Sequence, residues 1–323
     1  MSEARFAHAI NRALDDAMAA DPTVLLLGED IGRAGGTFAV TRGLLDRYGE
    51  DRVIDMPIAE HAIAGMAVGL ALGGYRPVIE IMFMDFVALA MDAIVNQAAK
   101  LHFMFGGQAP VPLVVRTQHG GGLNAGPQHS QCLEAWFAHI PGLKVVCPAT
   151  LDDAYGLLRS AIDDPNPVIF VENKSLYPMK GSLGETAPVP LGRARLVRPG
   201  ADVTIVTYGR LVHDAAAAAD MLAEQGVSAE VIDLRTLQPW DEAAVLESLS
   251  RTHRLVVAHE AVEAFGIGAE IVARMAQIGF DELDGPIQRV GGAFMPVPFS
   301  RALEAAYLPG EAQIVRAALA TYD

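Results

Sequence analysis

The sequence predicts an α/β chain of two open domains, and three observations carry that reading. Short, nearly continuous apolar runs alternate with helical patterns along the whole chain, which is how parallel strands buried on both faces read. At 323 residues the chain is long enough for two domains, each with its own core. The composition turns loop-like at Pro178-Met179-Lys180-Gly181-Ser182-Leu183-Gly184 and stays so to Pro199-Gly200. The expected division is therefore a parallel-sheet domain over residues 1–185 and a smaller α/β domain over 186–323.

The elements follow in order. Phe6, Ile10, Leu14 and Met18 recur every four residues and predict an amphipathic helix that Asp21-Pro22 stops. Val24-Leu25-Leu26-Leu27 reads as a buried strand ending in Gly28-Glu29-Asp30, and a loop with Gly32, Gly35 and Gly36 leads to a helix near Thr41–Tyr48. Val53-Ile54 starts the next strand. After Pro57 comes Ala62–Gly74, almost entirely small or apolar; as a helix with no polar face it is expected to be buried on all sides. Pro77–Phe83 is a strand, and Asp85 is the expected cap of a helix over Phe86–Leu101. Val111–Arg116, Leu143–Pro148 and Val168–Glu172 are further strands, with a helix at Asp152–Ile162. Beyond the linker, strands are expected at Val203–Thr207, Ala229–Leu234, Arg254–Glu260 and Ile287–Val290. Helices are expected at Val212–Gln225, Asp241–Leu249 and Gly268–Ile278.

Composition excludes several function classes. The formal net charge of −15 argues against nucleic acid or an anionic membrane surface as a partner. No uncharged apolar run reaches the ~18 residues of a membrane span. The first helix carries acids and resembles neither a signal nor a transit peptide. Cys132 and Cys147 lack metal-ligand spacing and read as free thiols of a reducing compartment, hence a cytoplasmic protein.

Ligands of open parallel sheets bind at the carboxyl ends of the strands, and three groups follow such ends. Glu60 opens the apolar helix, where the helix dipole favours a carboxylate; a buried carboxylate there either finds a partner or takes up a proton. Met82 and Phe86 flank a strand-to-helix junction. His129 sits in Gly120–Gln131, a glycine-rich loop without G-x-G-x-x-G spacing or a Walker lysine. A helix-entrance acid, two core side chains and a loop histidine explain the same residues without any chemistry, and the local patterns leave both readings open.

Longer motifs decide between them. Leu27-Gly28-Glu29-Asp30-Ile31-Gly32, Pro57-Ile58-Ala59-Glu60, Met91–Lys100, Gln128-His129-Ser130-Gln131, Ile140–Val146 and Glu230–Thr236 occur in an order that resembles the β subunit of the thiamin-diphosphate-dependent dehydrogenase component of 2-oxo acid dehydrogenase complexes. That family includes the pyruvate, branched-chain 2-oxo acid and acetoin enzymes. The resemblance implies an N-terminal pyrimidine-binding domain and a transketolase-C-like domain that serves assembly. It implies that Glu60 hydrogen-bonds the aminopyrimidine ring of the cofactor, that Ile58, Met82 and Phe86 pack that ring, and that His129 is the active-site histidine. It further implies a potassium site around Val111, Leu113, Ala161, Asp164 and Asn166. The Gly-Asp-Gly…Asn motif that holds Mg²⁺ and the diphosphate in thiamin enzymes does not occur in the sequence. The chain thus resembles half an active site, with Mg²⁺ held by an α subunit in an α₂β₂ heterotetramer and a lipoyl acyltransferase component as acceptor. The segments Glu80–Phe86 and Phe103–Gly107 look closer to acetoin-dehydrogenase members. A transketolase-like half enzyme and a non-catalytic scaffold are the competing readings.

Overall fold

The structure, a computed structural model, describes residues 3–184 and 186–323. The chain divides into two compact units. The first contains the residues up to His119 together with Trp136–Leu191, and the second contains Gly120–Ala135 and Gly192–Asp323. The expected boundary at 185/186 falls on residue 185, outside the described residues. The glycine-rich loop, expected within the first domain, groups with the second unit.

The first unit opens with β1 (Glu3–Arg5) and α1 (Phe6–Ala20), followed by β2 (Val24–Gly28), α2 (Leu44–Tyr48), β3 (Val53–Asp55), α3 (Glu60–Leu72) and β4 (Arg76–Ile81). It continues through α4 (Ala99–Met104), β5 (Val114–His119), α5 (Glu134–Ala138, where the chain re-enters this unit), β6 (Lys144–Val146), α6 (Leu151–Asp163), β7 (Val168–Asn173) and β8 (Lys180–Ser182). Six strands lie in the order β6-β7-β5-β4-β2-β3, all parallel. β1 and β8 form a separate antiparallel ribbon, and β8 lies inside the stretch read as a linker. Phe6, Ile10, Leu14 and Met18 are buried as the periodicity requires, and α1 packs on α6. At the centre of the sheet Arg116 on β5 is buried between Glu80 on β4 (2.7 Å) and Glu172 on β7 (2.7 and 2.8 Å). A fully dry guanidinium is tolerated there because two carboxylates answer it.

Two expectations are corrected in this unit. α3 is not buried on all sides. Ile63, Ala64, Ala67, Val68 and Ala71 face inward, toward β4 and the segment after it. Ala62, Gly65, Met66, Gly69 and Leu72 are exposed, and a Cβ built on Gly65 or Gly69 meets nothing within 4 Å. The missing polar face marks a surface that this chain does not itself cover. The helix expected over Phe86–Leu101 is instead a 3₁₀ segment (Met84–Ala90), a π-helical segment (Asp92–Ala98) and then α4. Asp85 lies inside the 3₁₀ segment, whose N-cap is Phe83. Mid-helix changes of hydrogen-bond step of this kind cluster at functional sites.

The second unit contains β9 (Arg195–Arg198), β10 (Val203–Thr207), α7 (Leu211–Ala223), β11 (Ala229–Asp233), β12 (Thr236–Gln238), α8 (Glu242–Thr252), β13 (Leu255–Val262), α9 (Ile267–Ile278), β14 (Gln288–Gly292), α10 (Arg301–Tyr307) and α11 (Glu311–Leu319). Its sheet runs β14-β13-β10-β11-β9, parallel except for β9, which pairs antiparallel with β11. β9 corrects the expectation of unbroken loop up to Gly200. Among the described residues no helix is long and apolar enough to cross a membrane.

Candidate active site

In the first unit the sheet delivers Glu60, Met82 and Phe86 to one edge, the carboxyl ends of the strands. Glu60 is the first residue of α3 and only 6% exposed. Glu29 follows the end of β2 and accepts a hydrogen bond from the Ala59 N–H. Burial pushes the Glu29 carboxyl up from its ordinary value, and the neighbouring Glu60 carboxylate pushes it the same way. The Oε1 atom of Glu29 is buried with no hydrogen-bond partner among the described residues. Two carboxylates thus share a dry corner with one oxygen still unanswered. Sequence reasoning passed over Glu29, although its place just after a buried strand was visible.

Met82 and Phe86 flank the turn that follows β4. Phe83 between them has a φ of 64°, in the left-handed region, which a bulky side chain rarely adopts. Its N–H donates to Gln118 Oε1 at 3.0 Å, and its carbonyl accepts from Phe86 N–H at 3.1 Å. Met82 and Phe86 are half-buried, while Ile58 is 84% exposed. The segment carrying Phe86 packs on α3, the helix that Glu60 opens. This edge carries the carboxylate oxygens of Glu29 and Glu60 and, after β4, a thioether and an aromatic ring.

Val111 and Leu113 lead into β5, Ala161 lies in the last turn of α6, and Asp164 and Asn166 lie in the loop before β7. Val111 N–H donates to Pro165 O (3.0 Å), and Leu113 O accepts from Val168 N–H (2.9 Å). The Asp164 carboxylate pairs with Lys144 and accepts from the Asn166 N–H at 2.9 Å. The donors left for a cation are backbone oxygens, each with a second lone pair.

His129 belongs to the second unit. It is half-buried, and its N–H donates to Gly126 O at 3.3 Å. The same loop borders a cavity of about 420 Å³ walled by Ser130, Cys132, Glu260, Met295, Val297 and Tyr307, among others. Glu260 accepts from Gly121 N–H (2.7 Å) and from Arg210 Nε (2.9 Å). Burial, with Cys132 and Glu260 nearby, pushes the Tyr307 phenol up to about 12.

A second histidine of this unit lies in its core. His259 on β13 is fully buried, bonds Ala261 O through Nδ1 at 3.1 Å, and leaves Nε2 without a partner among the described residues. Gly266 and Gly268 make room for the ring: a Cβ at either would come within 2.8 Å of an imidazole atom. Burial lowers its pKa below the ordinary 6.5, so the unfolded chain binds the proton more readily. The resulting stability is complete above pH 6.5, falls as pH drops through 6.5, and levels off below the folded value. Melting curves of the wild type are expected to lose at most about 1.4 kcal/mol per pH unit through this residue, and those of His259→Gln to lack that component. Identical pH slopes in both would contradict it.

Comparison with known proteins identifies the family. The model of the transketolase pyrimidine-binding domain matches residues 2–180, and that of the transketolase C-terminal domain matches residues 192–314. The chain is 46% identical over 315 residues to the pyruvate dehydrogenase E1 component subunit beta-2, mitochondrial, of Oryza sativa subsp. japonica, covering 96% of this chain and 84% of that one. It is 49% identical over 324 residues to the acetoin:2,6-dichlorophenolindophenol oxidoreductase subunit beta of Cupriavidus necator, covering 97% and 96%. The chain belongs to the β-subunit family of pyruvate and acetoin dehydrogenases. The β-subunit fold reaches further than its sequence. A split-gene transketolase, described as an inactive beta4 tetramer, matches with a TM-score of 0.81 at 24% identity, over 98% of this chain and 97% of its own.

Proposed function

We propose that this β subunit contributes one half of a thiamin-diphosphate active site that decarboxylates a 2-oxo acid and passes the acyl group to a lipoyl domain. The observation that carries the reading is the Glu60 carboxylate, buried at the first turn of α3, with the unanswered Glu29 oxygen beside it. Those two groups fit an aminopyrimidine, which presents a ring nitrogen and an amino group to acceptors. When bound, thiamin diphosphate supplies the nucleophilic carbon and the electron sink of the reaction. Glu60 holds a proton on the ring nitrogen by opposite charge at short range, in a site too dry for water to screen it. Glu29, its carboxyl pushed up by burial and by Glu60, lies beside it. Ile58, Met82 and Phe86 cover the ring and exclude water. His129 would deliver the proton that the second lipoyl sulfur needs once its S–S bond has opened to take the acyl group.

The other half is expected on an α subunit that holds Mg²⁺ and the diphosphate, in an α₂β₂ assembly with the exposed apolar face of α3 covered. The matched relatives are themselves named as subunits. A lipoyl acyltransferase component is the expected acceptor, and the free thiols Cys132 and Cys147 favour the cytoplasm. Acetoin in place of a 2-oxo acid is the second reading, favoured by the 49% identity to an acetoin enzyme subunit.

Calorimetry tests the half-site. The copurified αβ pair is expected to bind thiamin diphosphate in a Mg²⁺-dependent way, and this chain alone is not. Tight Mg²⁺-dependent binding by the chain alone would overturn the reading. We also place a potassium ion on the backbone oxygens around Val111, Leu113, Ala161, Asp164 and Asn166, a hard-oxygen set of the kind that takes hard cations. Melting is expected to be higher in potassium than in choline at equal ionic strength; coincident curves would remove that site.

A further inference from the structure

The turn that carries Met82 and Phe86 is held from outside itself. Phe83 sits at φ 64°, a conformation that relaxes unless its surroundings over-determine it. Its ring meets Phe86 edge-on (centroids 6.0 Å apart, 87°), and Lys174 Nζ lies 5.7 Å from the centroid of its face. On the other side it meets Phe38 edge-on (6.0 Å, 80°), and Phe38 stacks on Tyr177 (4.7 Å, 25°). Tyr177 donates to Glu172 Oε2 at 2.5 Å, which anchors the aromatic row to the buried Arg116 group in the sheet. Burial pushes the Tyr177 phenol well up, so it remains a donor there. Next to Phe38, the Thr37 hydroxyl donates to Met82 Sδ at 2.9 Å, which fixes a side chain that otherwise samples many rotamers.

The loop bearing Thr37 and Phe38 is braced by its own hydrogen bonds. Gly36 N–H bonds Asp30 O (2.8 Å), Thr41 N–H bonds Gly35 O (3.1 Å) and Thr41 Oγ1 bonds Ile31 O (2.6 Å). Gly35 and Gly36 both take a φ of 79°, which only glycine adopts without cost.

We propose that this loop is a clamp, and that Thr37 and Phe38 are positioning residues that hold Met82 and Phe86 in the one arrangement that packs the cofactor ring. The proposal rests on the thiamin-diphosphate reading above. Without the Phe38 ring, Phe83 loses one of the walls that keep it at positive φ. The turn then relaxes, and the two packing side chains move with it.

The test uses the αβ pair with two substitutions: Phe38→Leu, which keeps apolar bulk without the ring, and Thr37→Val, which keeps shape without the hydroxyl. Backbone hydrogen exchange over residues 82–86 is measured without cofactor, and thiamin diphosphate affinity by titration. Phe38→Leu is expected to speed exchange at the Phe83 amide about tenfold and to weaken cofactor binding about tenfold, the effect of losing part of one strained contact. Thr37→Val is expected to weaken binding with little change in exchange. Melting and Mg²⁺ dependence should hold in both variants, and Phe38→Tyr should restore both readouts. If Phe38→Leu does not assemble, Thr37→Val carries the test. Unchanged exchange in Phe38→Leu overturns the clamp, and unchanged affinity in both variants overturns the positioning role. A wild-type pair that binds no thiamin diphosphate fails the functional reading instead, and the exchange arm then judges the clamp by itself.

Discussion

Replacing His129 with alanine is expected to lower turnover with a lipoyl acceptor by roughly 10²–10⁴-fold, the range for loss of a positioned acid–base group. Cofactor affinity should stay nearly intact, because the groups read as packing the ring lie elsewhere in the chain. An imidazole nitrogen can carry and give up a proton, which suits it to a step in which a sulfur must gain one. Decarboxylation followed with an artificial electron acceptor needs no such transfer and should suffer less. His129 is half-buried, and its backbone N–H bonds the Gly126 carbonyl, a contact that alanine keeps. The loop should therefore survive the substitution. Equal losses in the two assays would assign His129 to the shared early steps or to the loop alone.

Glu60→Gln is expected to leave folding, assembly and cofactor binding in place and to slow proton loss from the reactive thiazolium carbon by at least ~10²-fold. Glutamine matches glutamate in size and still hydrogen-bonds, but it carries no charge to favour a proton on the ring nitrogen. The position magnifies the difference. The carboxylate is 6% exposed, stands at the N-terminus of α3, and has Glu29 as its neighbour. In such a dry place the electrostatic contrast between a carboxylate and an amide exceeds its value at a surface. Glu29→Gln, which leaves the Glu60 carboxylate in place, is expected to have the smaller effect.

Much of this fold is legible because parallel strands announce themselves. Val24–Leu27 and Val168–Val171 are unbroken apolar runs, and each is a fully buried strand. β9 was missed because Arg195-Leu196-Val197-Arg198 lies at a sheet edge, half-exposed, and has no such run. The change of hydrogen-bond step between Met84 and Met104 is invisible to periodicity, since 3₁₀, π and α turns accept the same apolar pattern. α3 was legible as a helix. Its burial was not, because an apolar face left exposed reads the same as a face turned inward. At the site, Glu60, Met82, Phe86 and His129 stood out at strand ends, but family motifs were needed to give them roles. Glu29 and the Phe38–Phe83 contact depend on neighbours 31 and 45 residues away, as Glu29–Glu60 and Phe38–Phe83. No local pattern carries such pairs, and nothing in the sequence marks the positive φ of Phe83.

The central claim, that Glu60 controls the protonation of a bound aminopyrimidine, has one direct measurement. Hydrogen–deuterium exchange at the thiazolium carbon of thiamin diphosphate bound to the αβ pair reports that step alone, whatever the substrate. The wild-type pair is expected to exchange the proton at least ~10²-fold faster than the Glu60→Gln pair at equal cofactor occupancy. Equal rates in the two pairs would make Glu60 a helix-entrance acid and nothing more.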